Sequence, residues 1–97
     1  MDNQIVAAIH GKRIIEFEYQ GRHRVAEPHV YGRTGGVDEL LAYQVSGESA
    51  SGGLPQWRRV EVNGMSALTI RDDVFPGPRP NPSGKHSAWD HIYAIVS

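Results

Sequence analysis

At Arg13 the hydrophobic period of this chain changes from helical to two, and that change limits what it can fold into. Ile15, Phe17 and Tyr19 fall on one side of an extended segment, with Ile14, Glu16 and Glu18 on the other. Gln20-Gly21 reads as a turn, and Arg22 to Glu27 returns as a second strand, so the pair forms a hairpin. Pro28 has no N–H to give a ladder, so the strand is expected to end or bulge there.

Before the switch, Asp2 or Asn3 is placed to cap a short helix. Ile5, Ala8 and Ile9 share one face of it, and Gly11 stops it. So short a helix persists only when packed on something else. After the hairpin, Gly32 to Gly36 turns the chain into a third strand, Val37 to Val45. In that strand Val37, Glu39, Leu41, Tyr43 and Val45 lie opposite Leu40 and Ala42, a pattern of burial on both faces. Ser46 to Pro55 (SGESASGGLP) is a glycine-serine loop. Trp57 to Val62 is a fourth strand, Asn63-Gly64 a turn, and Met65, Leu68 and Ile70 offer a fifth strand.

Pro76 to Gly84 holds four prolines and two glycines and reads as an extended connector. Trp89, Ile92, Tyr93 and Val96 fit a helical stripe headed by a Ser87/Asp90 capping box, yet Ile92 to Val96 is dense in strand formers. The reading adopted is a short strand that pairs with the sheet. One helix and about five strands predict a mainly β, α+β domain over residues 1–75, built as a small β-barrel or curled sheet. Residues 76–97 follow as a connector and C-terminal segment packed on it.

The chain has 97 residues, one domain's worth, and no cysteine, which excludes disulfide staples, thiolate nucleophiles and Cys-ligated zinc. No apolar run approaches the roughly 20 residues that cross a bilayer, and Met1-Asp2-Asn3-Gln4 does not resemble a secretory leader. A cytoplasmic protein without membrane contact is the expectation. A net charge of −1 argues against a molecule-wide attraction to nucleic acid, so any basic surface is local.

Strand parity brings Arg22 and Arg24 to one face. Arg58 and Arg59 must point to opposite faces, Arg58 with Val60 and Val62, Arg59 with Trp57 and Glu61. Arginine forks match phosphates and carboxylates, and an aromatic neighbour can stack on a base. Arg22, His23, Arg24, one of Arg58 and Arg59, and Trp57 are therefore candidates for an anion or nucleotide surface. The plainer account is solvated arginines paired with Glu27, Glu39 or Glu61. The glycine-serine loop lacks the phosphate-loop pattern GxxxxGK[ST], and its plain role is a hairpin connection. Among five histidines, His23 and His29 are six apart and His86 and His91 five apart, spacings that match no zinc motif. No serine sits in a nucleophile elbow, and Glu16 and Glu18 read as a solvated strand face, so neither catalysis nor a cofactor is expected.

Helical Ile5 to Ile9 followed by RIIEFEYQGRHRVAEPHVYG resembles the start of a WYL domain: a strand ending in Tyr19, then a strand with Arg24 four residues before Pro28. LLAYQV is similar to that family's central strand, and QWRRVEVNGMSAL to its later arginine-bearing strand. GESASGGLPQW is similar to the loop of short stand-alone WYL-like proteins. The resemblance runs from Ile5 to Phe75. It implies an SH3- or Sm-like small barrel and a ligand-sensing, regulatory role, with nucleic acid or nucleotide-like ligands held by basic residues on the sheet. The family's second-strand arginine falls on Arg24 and its later-strand arginine on Arg58. Asp38-Glu39-Leu40 stands where the family has Trp-Tyr-Leu, Glu61 stands where it has a second arginine, and no helix-turn-helix accompanies the domain.

The expectation is thus a binding domain for a nucleotide-like or single-stranded nucleic-acid ligand. Arg24 and Arg58 would hold the anion, with Arg22, His29, Tyr43 and Trp57 as secondary contacts. The alternative is a protein–protein module or homodimer anchored by Tyr43, Trp57 and Trp89.

Overall fold

A computed structural model describes residues 2–48, 53–80 and 89–97. Residues 49–52 of the glycine-serine loop, the connector from Asn81, His86, and Ser87 of the alternative capping box lie outside them. The helix α1 (Asn3–His10) forms as its cap dictates: Asp2 Oδ1 accepts from Gln4 N–H (2.9 Å) and Ile5 N–H (3.2 Å). The Asp2 N–H in turn donates to the Tyr31 hydroxyl (2.8 Å), which fixes the start of the helix to the sheet. Six strands follow: β1 (Arg13–Tyr19), β2 (Arg22–Thr34), β3 (Val37–Gly47), β4 (Gln56–Glu61), β5 (Met65–Val74) and β6 (His91–Ile95).

Gln20 and Gly21 both take positive φ, the geometry of a tight hairpin turn, and set β1 against β2 with Phe17 opposite Arg24 and Tyr19 opposite Arg22. Pro28 does not end the second strand, contrary to one of the two expectations. The strand runs on to Thr34 through a register shift between Pro28 and Val30, so the missing N–H is absorbed by a bulge.

The strand order is β4-β3-β2-β1-β5, and β6 pairs with the far half of β2. A single 3-10 turn (Val62–Gly64) carries the chain from β4 at one edge to β5 at the other, so the sheet must curl to bring its edges close. Tyr19 spans that approach: its hydroxyl accepts from Glu61 N–H (3.1 Å), and its ring lies against Gly64. The ladder does not run from β4 to β5, so the sheet is open; of the two forms anticipated, a small barrel or a curled sheet, the strand pairing gives an open sheet and not a closed barrel. The β-rich composition with one short N-terminal helix is as expected.

The concave side of this sheet and the apolar face of α1 make the core. Ile5, Ala8 and Ile9 pack with Ile15, Phe17 and Ala26, joined by Tyr31, Leu40, Ala42 and Val60. Val30 and Leu41, which face the other way, are also fully buried, so the middle of the sheet is covered on both sides.

The C-terminal segment forms a strand, not a helix, and Gly32 permits it. A Cβ there would collide with the His91 carbonyl and come within 2.8 Å of the Trp89 ring. Asp38 then clamps the tail. It accepts from the Tyr93 hydroxyl (2.9 Å) and from Arg33 Nε (3.1 Å), and both bonds hold its carboxyl below the usual range. Gly32→Ala is expected to cost about 1–3 kcal/mol through this overpacking. Urea unfolding measures the loss, and faster amide exchange confined first to β6 identifies its origin.

On the convex side, His23 sits between two carboxylates, Glu18 Oε2 at 2.7 Å from Nδ1 and Glu16 Oε1 at 2.9 Å from Nε2. The hydrogen bond to Glu18, then that to Glu16, raises its pKa above 6.5. A raised folded-state pKa means that the added stability is complete below pH 6.5 and fades as pH climbs through the raised midpoint. An NMR titration of His23 checks this: Glu18→Gln should lower the midpoint more than Glu16→Gln, and a wild-type midpoint at or below 6.5 contradicts it.

Candidate functional site: an arginine cleft at the open end of the sheet

Cross-strand partners share a face, so the pairing of Phe17 with Arg24 puts this arginine on the core side. Arg58 is aligned with Ala42 and flanks Val60, and it too is on the core side. Tyr19 and Arg22 occupy the next position outward. The result is a cleft of about 230 Å³ lined by Tyr19, Gln20, Arg22, Arg24, Arg58, Arg59 and Val60.

Arg24 is the unusual member. It is only 6% exposed, and among the described residues no carboxylate lies within ion-pair distance of it. Its Nη1 donates to Gln44 Oε1 (3.3 Å), its guanidinium carbon lies 5.4 Å from the centre of the Tyr19 ring, and its Nε is buried without a hydrogen-bond partner. Burial, then the charges of Arg58 and Arg22, depress its pKa, with Tyr19 opposing; an arginine so placed nonetheless stays charged. A buried charge without a counter-charge is unfavourable by on the order of several kcal/mol. The chain has 11 acidic residues, yet two of the three expected to neutralise this surface are paired with other arginines. Glu27 is bound to Arg79 (2.8 Å) and Glu39 to Arg59 (3.0 Å).

Of the six residues expected at a site, Arg22, Arg24 and Arg58 converge here. His29, Tyr43 and Trp57 do not. The pairings of Glu27 with Tyr43 and of Tyr43 with Trp57 put the two aromatics on the convex side, and His29, two residues on from Glu27, faces the same way. His29 is fully buried and meets Trp57 edge-on, with ring centres 4.8 Å apart. Parity also separated Arg58 from Arg59 correctly. The Arg59 guanidinium binds Glu39 and the Thr34 hydroxyl (2.6 Å) and lies 3.8 Å over the Trp89 ring. The Asp38-Glu39-Leu40 triplet is therefore structural: a clamp on Tyr93 and Arg33, a partner for Arg59, and a core leucine.

Tyr19 and Gln44 were missed as site residues. Both carried a signal. Tyr19 is two residues from Phe17 and faces Arg22 across a hairpin, and Gln44 is a polar residue on the same parity as Leu40 and Ala42. The buried Gln44 side chain accepts from Arg24, and its amide donates to Ser46 O (3.1 Å) and Glu48 O (2.9 Å). It thus ties the arginine to the start of the β3–β4 loop.

Chemically, the cleft offers guanidinium donors and the ring of Tyr19, a set suited to a phosphate or carboxylate. Its volume is below the roughly 300–1,000 Å³ of a site that swallows a drug-sized ligand, so it fits an anionic group and leaves the rest of a larger ligand outside. Among the described residues no cluster of three His, Asp or Glu side chains is arranged to hold a metal, and no helix is long and apolar enough to cross a membrane. Gln44→Met keeps the volume but removes three hydrogen bonds, and it should lower stability by about 1–3 kcal/mol, read from urea unfolding.

Compared with family models, curated proteins and solved structures, the chain matches none.

Proposed function

We propose that this chain is a cytoplasmic, regulatory ligand-binding module of the WYL-like kind, and that its cleft takes the phosphate of a nucleotide-like or single-stranded nucleic-acid ligand. It binds and does not convert. The observation that carries this reading is Arg24: a buried guanidinium, flanked by Arg22 and Arg58, with no carboxylate among the described residues within ion-pair distance. An anion entering the cleft supplies the missing counter-charge and a partner for Arg24 Nε. Tyr19, at the rim, offers a face on which a base can stack. The strand order, with its edge strands joined by one 3-10 turn, supports an SH3- or Sm-like scaffold that stops short of closure.

The test is anisotropy of labelled single-stranded oligonucleotides and nucleotides at low salt. Arg24→Ala combined with Arg58→Ala should weaken binding at least about tenfold. It should also flatten the dependence of log K on log salt by about 0.7 for each phosphate that the variant no longer neutralises. No binding by the wild type, or unchanged binding by the folded double variant, refutes the proposal.

A further inference from the structure

On the convex side of the sheet, opposite the arginine cleft, β2, β3 and β4 present an acid and three rings to a stretch of the chain's own backbone. Glu27, Tyr43 and Trp57 lie abreast across the strands, with His29 beside them at the bulge. After β5, Phe75 N–H donates to Lys12 O (2.9 Å), and the Phe75 ring stacks on His29 with centres 5.4 Å apart. Pro76-Gly77-Pro78-Arg79-Pro80 then passes over this face.

The contacts there are made side chain by side chain. Arg79 Nε and Nη2 donate to the two oxygens of Glu27, each at 2.8 Å, a bidentate fork on a carboxylate only 4% exposed. The Arg79 guanidinium lies 5.5 Å from the centre of the Tyr43 ring. Trp57 Nε1–H donates to Pro80 O (3.2 Å). Arg79 N–H donates to His29 Nε2 (3.2 Å), which leaves the ring proton on Nδ1 to be donated to Glu27 O (2.8 Å).

This is the chemistry that reads an extended proline-rich peptide. Pro78 and Pro80 have fixed φ, and a residue before proline is held in the β or polyproline-II region, so Pro78-Arg79-Pro80 reaches the groove with little conformational freedom to lose. Aromatic walls, an indole donor for a carbonyl between side-chain contacts, and an acid for a flanking arginine are the elements of polyproline recognition. Tying down a tail needs only apolar contact. A buried carboxylate with both oxygens turned to one arginine is specific for that residue.

We propose that Glu27, His29, Tyr43 and Trp57 form a binding groove for peptides with arginine between prolines, and that the chain's own Pro78-Arg79-Pro80 fills it. A partner carrying such a segment must displace the resident one. The tether gives the resident segment an effective concentration of about millimolar, so a peptide in trans binds the intact chain weakly. The half-exposed Arg79 end of the ion pair is where exchange starts.

The test uses the full chain and a blocked peptide of its own sequence, FPGPRP, with FPGPAP as control. The Trp57 indole N–H is followed by NMR. Arg79→Ala should bind FPGPRP at least about tenfold more tightly than the wild type does, should not bind FPGPAP, and should lose FPGPRP when Glu27→Gln is added. A folded Arg79→Ala chain with no Trp57 shift at millimolar FPGPRP, or with equal affinity for both peptides, overturns the proposal. Should Arg79→Ala not fold, the wild type at excess peptide decides: a saturable Trp57 shift with FPGPRP alone supports the groove, and no shift overturns it. Oligonucleotide binding, which uses the concave side, is expected to be the same with and without FPGPRP, so the two sites fail or succeed separately.

Discussion

The bent strand β2 is the constraint on which the rest of the molecule depends. It bonds to β3 along one edge, and to β1 and then β6 along the other. The bend comes from the bulge at Pro28 to Val30, where a residue without an N–H would otherwise leave a gap in the ladder. The bulge also puts His29 and Val30 on the same side. Arg24 and Ala26 thus face the core while Glu27, His29 and Val30 face out, and one strand serves both surfaces of the protein.

Those surfaces handle arginine in opposite ways. On the convex side Arg79 and Arg59 each have a carboxylate, and each lies over an aromatic ring. Such arginines are settled parts of the fold. On the concave side Arg24 has burial, like charges and a neutral amide, and among the described residues no acid in ion-pair contact. A fold optimised only for stability has little use for that arrangement, because apolar residues of similar volume usually pack there at lower cost. The proposed binding role would give a reason for it: the charge would be in place before an anion arrives, and the anion would supply the counter-charge.

Much of the fold was legible because it rests on local rules. The Asp2 cap, the Ile5-Ala8-Ile9 face, the Gln20-Gly21 turn and the alternation along β1 and β3 all appear where periodicity placed them. The continuation of β2 past Pro28 was not legible, because a proline signals both termination and a bulge, and only the partners on either side decide between them. The same holds for Ile92 to Val96. These residues suit a helix or a strand, and the open edge of β2 beside Gly32 selects the strand. The candidate site divides along the same line. Parity sufficed to unite Arg22 with Arg24 and to part Arg58 from Arg59. It also put Trp57 opposite Arg58, but it could not show that His29 and Tyr43 join Trp57 on that face, since their grouping depends on registers between strands far apart in the chain.

Composition and spacing alone settle a small, cysteine-free, mainly β chain with a capped helix, a hairpin and arginines on two strands. These are consequences of short-range sterics and of burial on alternate sides, which a chain carries in its order of residues. Which carboxylate each arginine finds is a long-range matter. Glu27 meets Arg79 across 52 positions and Glu39 meets Arg59 across 20, and among the described residues no acid forms an ion pair with Arg24. Charge pairing at a distance depends on how the curled sheet brings its edges together, so the feature that marks the cleft exists only once the chain has folded.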